Sequence, residues 1–163
     1  MKSFKYYILE QAENIIDVGT EGYPAENLSN FTAHEFTIDG VPCASMEGFL
    51  QGIKFRDPEK QKRICAKVGI KAKGKGKKSK WYLDQLLHWQ GKEIDRHGPE
   101  YQKLLDKAFN ELNKNKEFQK ALEDTGNKKL DHSIGKTDPN RTVLTKNEFI
   151  SRLNNLRKKN ENV

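Results

Sequence analysis

The chain has 163 residues, 33% of them charged and 34% hydrophobic, with a mean hydropathy of −0.92, which suits one domain spanning 1–163 around a lean core. No apolar run approaches the roughly 18 residues of a membrane helix, and Met1-Lys2-Ser3-Phe4-Lys5 lacks a signal-peptide pattern, which argues against a membrane-spanning or secreted chain. Cys43 and Cys65 form neither a disulfide framework nor a metal-ligand spacing, so a cytoplasmic, metal-free protein is expected, and a net charge of +7 favours phosphate-bearing partners.

Phe4–Leu9, aromatic-rich with a β-branched Ile8, reads as a first strand, followed by a turn-rich loop over Gly19–Asn30. Glu35–Ile38, Asp39-Gly40 and Val41–Ala44 read as a β-hairpin, in which Pro42 keeps the returning strand short or at an edge. Ser45 caps a helix to about Phe55, and Asp57-Pro58 has the cap-then-proline form that starts another. Lys71–Lys80, with six lysines and two glycines, reads as a mobile loop able to follow a nucleic-acid backbone. Trp81–Trp89 is apolar and reads as helical. Gly98-Pro99 opens a strong helix in which Tyr101, Leu104, Leu105, Ala108, Phe109 and Leu112 recur at helical spacing. Asn115 caps a shorter helix that ends at Gly126, a loop covers Asn127–Leu144, and Thr145-Lys-Asn-Glu148 is a capping box for a terminal helix. The expected fold class is α+β, predominantly helical, with a small antiparallel sheet near the N-terminus.

The helix after the hairpin carries the sharpest chemical signal. Met46, Phe49, Leu50 and Ile53 share an apolar face, while Glu47, Gln51 and Lys54 line up beside it within a sector of roughly 60°. On an exposed flank these three would be an ordinary solvated stripe. Lining a cleft, Glu47 could act as acid, base or cation stabiliser, and Lys54 could hold a phosphate or act as a nucleophile.

Leu28-Ser29-Asn30-Phe31, Phe36, Gly40 and Glu47-x-x-x-Gln51-x-x-Lys54-Phe55 together resemble the opening signature of the NADAR family, also called YbiA-like. The resemblance continues through Trp89-Gln-Gly91-Lys92-Glu-Ile-Asp95-Arg96, Leu130-Asp131-His132-Ser-Ile-Gly135, Asp138 and Thr142 to Arg157, and covers roughly positions 27 to 158. The sequence departs from the family in having Pro139-Asn140 after Asp138, Gly48 after Glu47 and the lysine-rich segment 71–80.

The resemblance implies a NADAR-like fold and a cofactor-independent, metal-independent N-glycosidase, with ADP-ribosylated nucleic acid or nucleotide as partner and ADP-ribose on guanine as the leading substrate. The alternatives are ribosylamine phosphate intermediates of riboflavin synthesis, and a non-catalytic ADP-ribose or nucleic-acid binder. It points to Glu47, Lys54 and Asp138 as catalytic. Asn30, Phe31, Gln51, Trp89, Lys92, Arg96 and His132 are the candidates for binding. Each has a plain structural reading beside it: Phe31 and Trp89 as core, Lys92 and Arg96 as solvent-facing charge, Asp138 as an Asx-turn, His132 as a packing residue.

Overall fold

The computed structural model describes residues 3–163. It is α+β, with more helix than strand. Helix α1 (Phe4–Glu13) precedes strand β1 (Ile15–Asp17), and the hairpin of β2 (Phe36–Ile38) and β3 (Val41–Cys43) follows. Three short helices come next: α2 (Met46–Gly52), α3 (Pro58–Cys65) and α4 (Gly69–Gly76). A second hairpin, β4 (Leu86–Trp89) with β5 (Lys92–Asp95), leads to α5 (Pro99–Leu112), α6 (Lys116–Glu123), β6 (Lys129–Asp131) and α7 (Lys146–Glu161). The strands form three two-stranded ladders, of which β2–β3 and β4–β5 are antiparallel and β1–β6 is parallel.

The local signals that act within a few residues hold. Asp39 and Gly40 both take positive φ, so the first hairpin turns where the Asp-Gly pair demands it, and Pro42 sits opposite Thr37 on a strand that, among the described residues, pairs with β2 alone. The Ser45 hydroxyl accepts from Gly48 N, and the Asp57 carboxylate accepts from Glu59 N. Asn115 accepts from Glu117 N and Phe118 N, and the Thr145–Glu148 capping box is closed in both directions. The apolar stripe of α5 is buried at all six expected positions and packs with Phe149, Leu153 and Leu156 of α7 in one hydrophobic cluster.

Five expectations are corrected. Residues 4–9 are helix, not strand: among the described residues no strand pairs with them, and the segment satisfies its backbone internally. Its Phe4, Tyr6, Tyr7, Ile8 and Leu9 side chains stay exposed and add nothing to the core. Lys71–Lys80 is not one loop, because α4 runs through Gly76. Ala72 and Gly76 are buried, and that contact overrides the weak helix propensity of glycine. Trp81–Trp89 is a single 3-10 turn followed by β4, in which Leu87 and Trp89 alternate inward and Gln90-Gly91 makes the positive-φ turn to β5. The final loop contains β6, whose three residues pair with β1 far away in the chain and so leave no local period to read. The helix from Ser45 also ends earlier than expected, at Gly52.

Helix α2 is the hub. All seven of its residues are buried. It can be so enclosed because α3 comes close at two glycines: a Cβ on Gly48 would meet the backbone oxygens of Cys65 at 2.6 Å and Lys67 at 2.7 Å, and one on Gly52 would meet Cys65 Sγ at 3.0 Å. Glycine at 48, where the NADAR comparison leads one to expect a larger side chain, thus has a packing cause. Cys43 and Cys65 are free thiols buried in this layer.

Gly48→Ala should therefore destabilise the protein, because its methyl group meets rigid backbone and not the end of a side chain. A loss at the upper end of the ~1–3 kcal/mol typical of overpacking is expected. Urea unfolding of the variant measures it, and an unchanged midpoint would contradict the close α2–α3 packing.

Candidate functional site

Helical periodicity places Glu47, Gln51 and Lys54 along one flank of α2 and its C-terminal extension, and the fold covers that flank. Glu47 is 7% exposed and Gln51 6% exposed, so this is no solvated stripe. Lys54 is half-buried, and its carbonyl accepts from the Ser79 hydroxyl at 2.9 Å, which ties the segment after α4 to the end of α2. The N-terminal end of the flank is held by the Asn30 carbonyl, which accepts from Glu47 N at 2.9 Å.

The charges within the cluster shift one another. Burial raises the Glu47 carboxyl above the usual carboxylate range. A hydrogen bond from Gln51 Nε2 to Glu47 Oε1, 2.7 Å long, and the positive charges of Lys54 and Lys73 oppose that rise. Burial likewise lowers Lys54, to about 8. Glu47 pulls it back up, while Lys136 and Lys73 push it further down. An acid made harder to ionise thus sits with an amine made easier to deprotonate.

The remaining members come from three separate segments. Phe31 is half-buried, lies against Gly69 at the start of α4, and carries Lys73 Nζ 5.7 Å from its ring centroid. Gly76 abuts the Gln51 amide so closely that a Cβ there would overlap its oxygen. That oxygen is buried without a hydrogen-bond partner among the described residues. Lys136 reaches Lys54 electrostatically from the loop after β6 and is exposed, like Lys73. Burial therefore grades outward, from Glu47 and Gln51 through Lys54, Asn30 and Phe31 to two surface ammonium groups.

The other candidates have structural duties. Trp89 belongs to the core: its ring meets Phe49 edge-on at 5.2 Å, and its Nε1 donates to Asp39 at 2.8 Å. Arg96 is 1% exposed and cannot meet a pyrophosphate in solvent. Its guanidinium donates to the Thr142 carbonyl at 3.0 Å and to Glu148 at 3.1 Å, locking the end of β5 to the cap of α7. Lys92 pairs with Glu100 at the start of α5. His132 Nδ1 donates to the Val18 carbonyl at 2.8 Å, and its ring packs edge-on against Phe149. Asp138 closes an Asx-turn by accepting from Asn140 N at 2.9 Å, the role its Asp-Pro-Asn context favours. Sequence reasoning missed Lys73 and Lys136, since nothing in a lysine-rich helix or a loop marks which surface ammonium lies near the buried pair. Among the described residues no group of three or more His, Cys, Asp or Glu could hold a metal ion, and no helix is long and apolar enough to cross a membrane.

The electrostatic coupling predicts a change that needs no substrate. In Glu47→Gln, Lys54 loses the one charge that raises it, so its deprotonation should move below about 8. The pH dependence of amine labelling at Lys54, read by peptide mass spectrometry, measures the shift. An unmoved titration would show that the two groups do not interact.

Comparison with known proteins corrects the sequence reading. The sequence profile of a family described as "Bacteriophage protein GP30.3" matches residues 22–158. The chain is 38% identical over 139 residues to the "Uncharacterized 17.1 kDa protein in Gp30-rIII intergenic region" of Enterobacteria phage T4, a match that covers 83% of this chain and 91% of that protein. No solved structure matches. These findings overturn the NADAR assignment and the ADP-ribose hydrolase description that came with it. Several residues that carried the resemblance are accounted for by folding: Trp89 by the core, and Arg96 and Glu148 by their ion pair. The chain belongs to the bacteriophage GP30.3 family.

Proposed function

We propose that the protein is an enzyme that hydrolyses the C1–N bond of a small phosphorylated glycosylamine at the Glu47–Lys54 cluster. The observation that carries this reading is the pairing of a carboxyl raised by burial with a lysine lowered to about 8 on one enclosed flank of α2. Such a pair can hold one proton between them near neutral pH, as acid–base and imine chemistry both require.

In this reading Lys73 and Lys136 hold the phosphate at the surface end, and the sugar lies inward against Phe31. The glycosylamine opens to its imine, and neutral Lys54 adds its amine to C1. Glu47 gives its proton to the departing amine nitrogen as the C1–N bond breaks, leaving a Lys54 imine. Water then adds to C1, Glu47 takes up a proton, and Lys54 is released as the sugar aldehyde forms. One water is consumed for each bond cleaved. Gln51 orients Glu47 through its 2.7 Å hydrogen bond. The graded burial supports a small substrate at this site over a long polymer.

The test is a product assay of purified protein on ribosylamine 5-phosphates, with borohydride trapping in parallel. Turnover with a covalent adduct on Lys54 supports the reading. Glu47→Gln should lower kcat by roughly 10²–10⁴-fold, the usual worth of a positioned acid. Lys54→Arg should abolish both adduct and turnover, because arginine stays protonated. The rate should fall when both groups are protonated and again when neither is, with one limb near the Lys54 value of about 8. Full turnover in Lys54→Arg would leave Lys54 only a phosphate-holding role. Ligand binding without turnover would make the protein a non-catalytic binder of phosphorylated sugars.

A further inference from the structure

The net charge of +7 is not spread over the molecule. Residues 60–80 hold ten Lys and Arg and no Asp or Glu, so the rest of the chain, with 20 basic and 23 acidic residues, is slightly negative. This segment folds into α3, α4 and the turns around them, and between the two helices lies a groove of about 470 Å³. Lys60, Arg63, Lys67, Lys75 and Lys78 line it, with Ile64 and Ala66 as its only uncharged lining residues. No acidic side chain lines the groove, and among the described residues none of the five cations takes part in an ion pair.

Helix α4 and the turn after it send lysines to two sites. Lys73 acts on Glu47 and Lys54 and stands over Phe31, whereas Lys75 and Lys78, three residues apart, join α3 in the groove. No residue of the Glu47–Lys54 cluster lines the groove. Concentrating like charges without counter-charge costs stability through self-repulsion, and a polyanion relieves that repulsion while releasing its own condensed counterions.

We propose that the groove between α3 and α4 binds the phosphate backbone of double-stranded nucleic acid, independently of any chemistry at Glu47. Three features select this partner. The groove has no aromatic lining residue on which an unpaired base could stack, so it lacks the platform that single-strand binders use. Its side chains supply donors and no acceptors, which suits phosphate oxygens and not the mixed donors and acceptors of a peptide backbone. Its concave shape admits a rod-like strand, whereas a flat bilayer would touch only the rims. Recognition here is by charge and carries no base sequence.

The test is binding of the full-length protein to a labelled duplex of mixed sequence, measured by fluorescence anisotropy over a range of salt concentrations. Each neutralised phosphate contributes a slope of roughly 0.9 in log affinity against log salt. The variant R63Q/K75Q/K78Q should therefore lose about 2.7 from the wild-type slope and bind roughly 10²–10³-fold more weakly at 0.1 M salt. The control K71Q/K77Q/K80Q removes the same charge from exposed positions outside the groove and should change the slope by less than about 1. Circular dichroism checks that both variants are folded. Equal losses in the two variants, an unchanged slope in the groove variant, tighter binding to a single strand of equal length, or binding to phosphatidylserine vesicles or polyglutamate but not to the duplex would each overturn the proposal.

Discussion

Close approach of α3 and α4 to α2, at positions where no Cβ intervenes, is the constraint on which the rest of the structure depends. Gly48 and Gly52 let α3 lie against α2, and Gly76 lets α4 reach the Gln51 amide. With larger residues there, the helices would stand further off and water would enter between them. The flank carrying Glu47, Gln51 and Lys54 would then be an ordinary wet surface, where charges interact weakly and titrate normally. The absence of three side chains thus creates the low-dielectric surroundings that raise Glu47 and lower Lys54.

The same packing gives α4 two faces with different duties. Its buried Ala72 and Gly76 fix its orientation. That orientation sends Lys73 toward Phe31 and the buried pair, while Lys75 and Lys78 line the groove with α3. A helix rich in lysine and glycine would not hold together alone, since each internal glycine costs about 1 kcal/mol relative to alanine. Its order is borrowed from α2. The far side of the core is braced differently, through the buried Arg96, which joins the end of β5 to Thr142 and Glu148. Removing one partner of such a pair strands the other charge, typically at a cost of about 3–5 kcal/mol.

Legibility in the sequence followed the range of the interaction. The Asp39-Gly40 turn, the caps at Ser45, Asp57 and Asn115, the Thr145–Glu148 box and the stripe of α5 all act within a few residues and could be read directly. The β1–β6 ladder could not, because its two three-residue strands are specified by each other across more than a hundred residues. The second hairpin was hidden because Gln90-Gly91 is a weaker turn signal than Asp-Gly, and Trp81–Trp89 is apolar enough to pass for a helix. Within the candidate site, Glu47, Gln51 and Lys54 were visible because one helix aligns them. The resemblance that pointed to Trp89 and Arg96 fixed on residues whose side chains the fold uses internally.

The sequence by itself determined the α+β class, the caps and turns, the apolar face of α5 and the alignment of Glu47, Gln51 and Lys54, because helical geometry and local hydrogen bonding suffice for each. Only the tertiary structure decided that this alignment is buried, that Lys73 and Lys136 act on it, and that Lys75 of α4 faces a groove with α3. Burial and electrostatic coupling depend on which segments lie against one another, and that is set by close contacts such as Gly48 on Cys65 and Gly76 on Gln51. A glycine in a sequence does not say what will come to rest against it.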